Sequence, residues 1–332
     1  MRYFLTGATG FIGHVLSRQL GDAGHEIVTV ARRPDRARFL VELGVDVLPG
    51  DITDKSSMYE AMKGVDGVFH VAAWYKLGAN AKESREAEKI NVTGTRNVLE
   101  LMKELKIRKG VYTSTLAVFS DTHGKLVKES YRFHGPWLTE YDRTKWKAHF
   151  EVALPMMEER LPLVIVQPGV VYGPGDTSAI HATWQLYLRR RLFLTPKKTA
   201  FCWSHVEDAA NAHILAMETG KPGETYIIGG PVHTLIEALA IAEKITGIPA
   251  PKRHPGPNAM RVLAGMIHLL GRVTRLPEIY SYEGMRSIAG VTYIGNSEKA
   301  TNDLGFSPRP LEAGLRETLE HEKLMLARGH VE

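Results

Sequence analysis

The chain holds a single cysteine, Cys202, among its 332 residues. One thiol excludes an internal disulfide framework and offers no C-x-x-C pattern for a metal or redox pair, so Cys202 reads as a small buried hydrophobe in a reducing compartment. Also missing is any apolar run close to the roughly 20 residues needed to span a bilayer. Even the greasiest stretch, residues 262–271, is flanked and interrupted by polar side chains. The opening Met1-Arg2-Tyr3-Phe4-Leu5 runs into a glycine turn without the small-residue cleavage site of a secretory signal and reads as a strand. A soluble cytoplasmic protein is the expectation. His14, His70, His134 and His205 show no H-x-x-x-H or comparable ligand spacing, so no catalytic metal is expected. Repeats and low-complexity tracts are absent as well. The positive excess is modest, a net charge of +5 with pI near 9.1, and it is spread over many segments. Nucleic acid is therefore disfavoured as a partner, and an anionic small molecule fits better.

What the chain does contain is an ordinary globular composition, 44% hydrophobic and 24% charged, long enough for a sizeable core and two lobes. Strand-length apolar runs cover residues 2–6, 26–31, 45–49, 67–71, 110–113 and 163–167, separated by helical stretches. Such alternation predicts an α/β fold, a doubly wound parallel sheet with helices on both faces. The longest helices are expected over 81–105 and 139–159, the second limited by Pro155 and Pro162. After Pro168 the pattern loosens. A helix near 180–190, a strand near 199–203, a further sheet strand at 224–228 and helices over 234–246, 259–273 and 311–326 predict interleaved lobes. Residues 1–170 form the dinucleotide-binding domain, with 202–228 returning to it, and 171–201 with 229–332 form a smaller, mostly helical substrate lobe.

Two motifs carry chemistry. In Gly7-Ala8-Thr9-Gly10-Phe11-Ile12-Gly13 the glycines let the chain turn sharply out of the first strand, let its backbone approach a pyrophosphate, and let the next helix pack closely. The helix N-terminus then faces the negative charge. At the end of the second strand an NAD site usually carries an acid for the ribose hydroxyls, but here the chain reads Ala31-Arg32-Arg33. Guanidinium groups hold a 2′-phosphate that an acid repels, so NADP(H) is favoured over NAD(H).

The second motif is Tyr141-Asp142-Arg143-Thr144-Lys145. Tyr141 and Lys145 are one helical turn apart and leave the same face. A tyrosine titrates near pH 10 and burial raises that value further, so proton exchange near neutrality needs positive charge nearby. Lys145 is expected to supply it. Alone, a Y-x-x-x-K pair reads as an incidental aromatic and a lysine; its place after a nucleotide fold turns it into a catalytic candidate.

With both motifs in place, the sequence resembles the extended short-chain dehydrogenase/reductase superfamily, also labelled NAD-dependent epimerase/dehydratase, over nearly its whole length. Gly50-Asp51-Ile52 resembles the adenine-contacting segment, and His70-Val71-Ala72-Ala73 the fourth-strand end along the cofactor. Asn91-Val92-x-Gly94-Thr95 is similar to the family's helix signature. Pro168-Gly169-Val170-Val171-Tyr172-Gly173-Pro174 resembles the loop that supports the nicotinamide, and His205-Val206-Glu207-Asp208 and the segment 297–306 resemble later motifs. The resemblance implies a cofactor site of Gly7, Thr9, Gly10, Phe11, Ile12, Gly13, Arg32, Arg33, Asp51, Ile52, Ala72, Ala73, Tyr141, Lys145, Pro168, Gly169, Val170 and Val171. It also implies a catalytic serine or threonine on the fifth strand. Aligning on Val118-Phe119 favours Thr115, with Ser114 the other candidate. In that scheme Tyr141 donates the proton, and Lys145 holds the ribose and lowers the phenol's pKa. Asn91 is either part of a proton relay or a structural amide.

The superfamily spans several reactions that share one hydride step. Its 4,6-dehydratase branch places an Asp-Glu pair after the active threonine; Leu116 and Ala117 stand there, so dehydration is excluded. Epimerases need anchors for a nucleotide diphosphate, and Arg189-Arg190-Arg191 with Lys197-Lys198 read either as those anchors or as a solvated basic face. Trp74, Thr115, Tyr172, His181 and Trp184 are the expected substrate residues, although aromatics at helical spacing equally suit a core. The overall look is closest to the dihydroflavonol-4-reductase-like and 3β-hydroxysteroid-dehydrogenase-like branch. This implies NADPH-dependent reduction of a ketone or aldehyde on an apolar or aromatic small molecule. A nucleotide-sugar epimerase is the alternative, and a non-catalytic NADP-binding redox sensor a second. The long helices are those through which family members pair, so a homodimer is expected.

Overall fold

The computed structural model describes residues 1–260, 262, 265 and 282–329. Seven strands form one parallel sheet: β1 (Arg2–Thr6), β2 (Glu26–Ala31), β3 (Asp46–Pro49), β4 (Gly67–His70), β5 (Gly110–Thr113), β6 (Leu163–Pro168) and, after an excursion, β9 (Thr225–Ile228). Their order is β3-β2-β1-β4-β5-β6-β9, so the chain reverses direction across the sheet between β1 and β4. Crevices at such a reversal, beyond the carboxyl ends of the strands, are where open α/β sheets bind ligands.

Burial on both faces explains why these strands are almost continuously apolar. Successive residues point to opposite sides: Leu5, Phe69, Val111 and Val164 enter one core, whereas Phe4, Val68, Tyr112 and Ile165 enter the other. The first core is closed by the helix Phe11–Asp22 packing against Val206–Glu218, a pair tied by Arg18 Nη2 to Glu207 at 2.6 Å. The second is closed by the two long helices of the fourth and fifth crossovers.

Those long helices differ from the regular ones expected. Residues Ala81–Glu88 start on an Asn80 capping box, pass through a π-helical segment at Lys89–Gly94 and continue as Thr95–Glu104. Likewise Glu140–Lys147 passes through Ala148–Ala153 into Leu154–Glu158. Pro155 does not end this helix, because it falls in the first turn after the π segment, where the regular ladder is already interrupted.

A second sheet joins β7 (Val170–Tyr172), β8 (Ala200–His205), β10 (Val232–Thr234) and β11 (Thr292–Tyr293) around β8. The helices Ala179–Leu188, Leu235–Thr246 and Leu311–Arg328 pack with it around Trp184, Trp203, Tyr172 and Leu315. The helix expected over 259–273 lies largely outside the described residues. Among the described residues no helix is long and apolar enough to cross a membrane.

Candidate active site

β1 ends at Thr6, and a helix begins only four residues after Gly7, at Phe11, so the turn between them must be tight. Gly7 takes a φ of +76°, and a Cβ there would lie 2.6 Å from the Ala72 nitrogen. At Gly13 a Cβ would lie 2.0 Å from the Gly7 carbonyl oxygen. Side chains at either position would wedge the turn away from β4. The helix that follows carries no side-chain cap, which leaves its first N–H groups for an anion. Thr6 fastens the neighbouring strand end, its Oγ1 accepting from the N–H groups of Val71 (3.1 Å) and Ala72 (3.2 Å).

A groove of about 1490 Å³ runs over these carboxyl ends. That exceeds the roughly 300–1,000 Å³ of ordinary small-molecule sites, giving room for a dinucleotide and a second ligand together. Gly7, Thr9, Gly10, Phe11, Ile12 and Gly13 line it, as do Asp51, Ile52, Ala72 and Ala73. Arg32 and Arg33 line it beyond β2, joined by Arg36, which lies one turn further on the short helix Pro34–Ala37. Those three exposed side chains make no ion pair among the described residues. Gly169, Val170 and Val171 border the groove, whereas Pro168 and the buried Lys145 do not. A closed glycine turn and an open helix end fit a nicotinamide dinucleotide.

Thr115 and Tyr141 both line the groove wall, the threonine hydroxyl near enough to the phenol to lower its pKa. Ser114 is turned the other way and pairs with His149 Nδ1 at 2.9 Å. The extended backbone explains this, because neighbouring residues of a strand point to opposite faces. Burial pushes the Tyr141 phenol up to about 12; the Thr115 hydroxyl opposes that rise and the Asp142 charge adds to it.

Lys145 occupies the turn below Tyr141, fully within the protein. Its Nζ donates to the Thr113 carbonyl at 2.7 Å and to the Tyr112 hydroxyl at 3.1 Å. Burial brings its pKa down to about 7. The expected lowering of the phenol by Lys145 is not what the chain alone produces: the ammonium is committed to β5, and desolvation dominates at Tyr141. Asn91, in the π segment, clasps the Trp74 backbone, accepting from its N–H at 2.7 Å and donating to its carbonyl at 3.1 Å. It thereby places Trp74 at the groove, where that residue was expected.

Three expected substrate residues do not reach the groove. Trp184 is fully buried, 6.0 Å from Trp203, and Tyr172 lies 5.7 Å from the same ring. His181 Nδ1 pairs with Glu322 at 2.8 Å. The helix Ala179–Leu188 gives only Ala179, Ile180 and Ala182 to the groove and turns its aromatics into the core of the second sheet. Tyr75, Phe201 and Tyr293 take the expected place instead. Tyr75 packs edge-on against Tyr141 at 4.9 Å, and Phe201 stacks with Tyr293 at 6.2 Å. Sequence reasoning also missed Arg36, visible only as a residue one turn after Arg33, and Tyr293, which nothing local announces.

Among the described residues no cluster of His, Cys, Asp or Glu is arranged to hold a metal ion.

Comparison with known proteins agrees with this layout. Residues 3–229 match the NAD dependent epimerase/dehydratase family. A Synechocystis protein named as a dihydroflavonol 4-reductase is 31% identical, over 96% of this chain and 93% of its own. A UDP-glucose 4-epimerase of Streptomyces lividans is 26% identical over 80% and 88%. Among solved structures, that of gox2253 superposes with a TM-score of 0.82 at 27% identity, covering 97% of this chain and 98% of the other.

Proposed function

This chain belongs to the NAD dependent epimerase/dehydratase family and is an enzyme of the extended short-chain dehydrogenase/reductase type, and on that footing we propose that it reduces an uncharged, apolar or aromatic ketone or aldehyde with NADPH. The observation that carries this reading is the charge arrangement along the groove. At the β2 end stand Arg32, Arg33 and Arg36, suited to a 2′-phosphate. Away from that end the lining carries Asp142 and the buried Asp176, together with the aromatic rings of Tyr75, Phe201 and Tyr293. Lys76, the lysine of that region, is held by Glu83 at 2.7 Å. A nucleotide diphosphate would face carboxylates there. Arg189, Arg190, Arg191, Lys197 and Lys198 do not line the groove, which supports a solvated face over sugar-nucleotide anchors.

In this reading residues 1–170 with 202–228 bind the dinucleotide, and 171–201 with 229–332 cover the substrate. A bound nicotinamide supplies the hydride. Thr115 holds the substrate oxygen by its hydroxyl, and Tyr141 gives that oxygen a proton. Lys145 holds the ribose. The aromatic wall excludes water and orients the carbonyl.

NADPH oxidation with a panel of ketones and aldehydes tests the proposal, run beside interconversion of UDP-sugars with NAD. Turnover of carbonyl compounds supports the reductase. Sugar-nucleotide epimerisation without net NADPH consumption would establish the alternative, which the epimerase-named relative keeps in view. NADPH binding with neither activity would overturn the carbonyl-reductase reading and leave the sensor alternative.

A further inference from the structure

Beneath the groove lies a closed set of buried polar groups that the proposed mechanism leaves unused: Thr6, His70, Thr95 and Tyr112. All are within the sheet or the π-interrupted helix, and all are buried. The hydrogens of Thr6, His70 and Thr95 can be assigned. Thr6 Oγ1 already accepts from the Val71 and Ala72 N–H groups, so its own hydrogen goes to His70 Nδ1 at 2.7 Å. Burial brings the imidazole down to about 3, so the ring is neutral with its hydrogen on Nε2. That N–H donates to Thr95 Oγ1 at 3.0 Å. Thr95 spends its hydrogen on the Asn91 carbonyl at 2.6 Å and remains an acceptor. The imidazole held by these two threonines lies against the Tyr112 ring, and the Tyr112 hydroxyl accepts from Lys145 Nζ at 3.1 Å.

We propose that Tyr112 is a positioning residue: its ring is held against the anchored His70 imidazole, so its hydroxyl pins Lys145 and leaves a single remaining position on nitrogen for the cofactor ribose. The geometry supports a built device. The Tyr112 ring stacks on His70 at 5.4 Å and 19°, so the phenol cannot swing, and Nζ sits 4.7 Å over the same ring. Thr113 O takes a second N–H from below. Two of the three positions on nitrogen are thus fixed by β5, whether the amine is charged or neutral. Only the third changes with protonation.

The inference rests on the proposal that Lys145 holds the ribose, so its test avoids turnover. The NADPH dissociation constant is measured by cofactor fluorescence from about pH 5.5 to 10, across the range where a lysine depressed by burial titrates. Binding by the unaltered protein is expected to weaken as Lys145 loses its proton. Tyr112→Phe keeps the ring but removes an acceptor from the ammonium, so the inflection is expected to fall by about one pH unit. Thr95→Val, which removes the acceptor that anchors the His70 ring against Tyr112, is expected to move it the same way by less, and carries the test if Tyr112→Phe does not fold. Lys145→Met is expected to abolish the inflection. An inflection unmoved in both variants, or binding weakened by one factor at every pH, overturns the positioning role alone. No NADPH binding by the unaltered protein overturns the cofactor reading with it.

Discussion

The Tyr293 hydroxyl donates to Asp142 Oδ2 at 3.3 Å, while Asp142 Oδ1 accepts from Thr139 at 2.7 Å. One carboxylate therefore ties the helix that carries Tyr141 to β11 of the second sheet. It also stands beside the phenol, whose pKa it raises. Asp142→Asn removes that charge, so the phenol becomes more acidic and its protonated, donating form is lost at lower pH. The alkaline limb of kcat for carbonyl reduction is expected to shift to lower pH. A pH–rate profile checks this, and an unmoved limb would separate Asp142 from the proton transfer.

Tyr141→Phe is expected to keep NADPH affinity and to lower turnover by about 10²–10⁴, the range a positioned general acid supplies. Thr115 retains its hydroxyl in that variant, so the loss is assignable to the phenol. Turnover equal to the unaltered protein would remove Tyr141 from the mechanism. Fluorescence titration beside steady-state kinetics makes the comparison.

Arg32→Ala is expected to weaken NADPH by about tenfold or more, the worth of a charge-assisted hydrogen bond, while changing NADH little. Arg33 and Arg36 line the same end and will soften the effect. The discriminating quantity is the ratio of the two dissociation constants. An equal loss for both cofactors would place the 2′-phosphate elsewhere.

Acid is expected to destabilise the fold well above the carboxylate range. Burial depresses His70 and His149 to about 3 and His213 to about 4. Below about pH 6.5 the unfolded chain protonates these rings and the folded one does not, so the unfolded state binds more protons and stability falls with pH. Above about pH 6.5 the effect vanishes. Each ring contributes up to about 1.4 kcal/mol per pH unit within that window. Thermal unfolding midpoints at pH 7.5, 6 and 5 read the trend, and a flat series would contradict it.

Much of the main sheet was legible because its strands are buried on both faces and therefore carry unbroken apolar runs; β1, β2 and β5 fall at the expected residues. The glycine turn was legible for a steric reason, since positions 7 and 13 admit no side chain. Short strands escaped. β11 has only Thr292 and Tyr293, and β10 three residues, too few for alternation to register. Trp184 was misplaced because a mostly apolar helix hides which side meets the core and which meets a cavity. Lys145 and Tyr112 are 33 positions apart, so the contact that sets the lysine's environment has no local trace.

The route of the chain has a last consequence. Having built six strands of the large sheet it departs for β7 and β8, comes back through Val206–Glu218 and β9, and departs again. A protease cutting after Pro168 would strip the first unit of its edge strand and of the helix that Arg18 grips, while leaving the remainder with a strand it cannot pair. Neither fragment is self-sufficient, so damage to one half is expected to bring down the other in a single cooperative event.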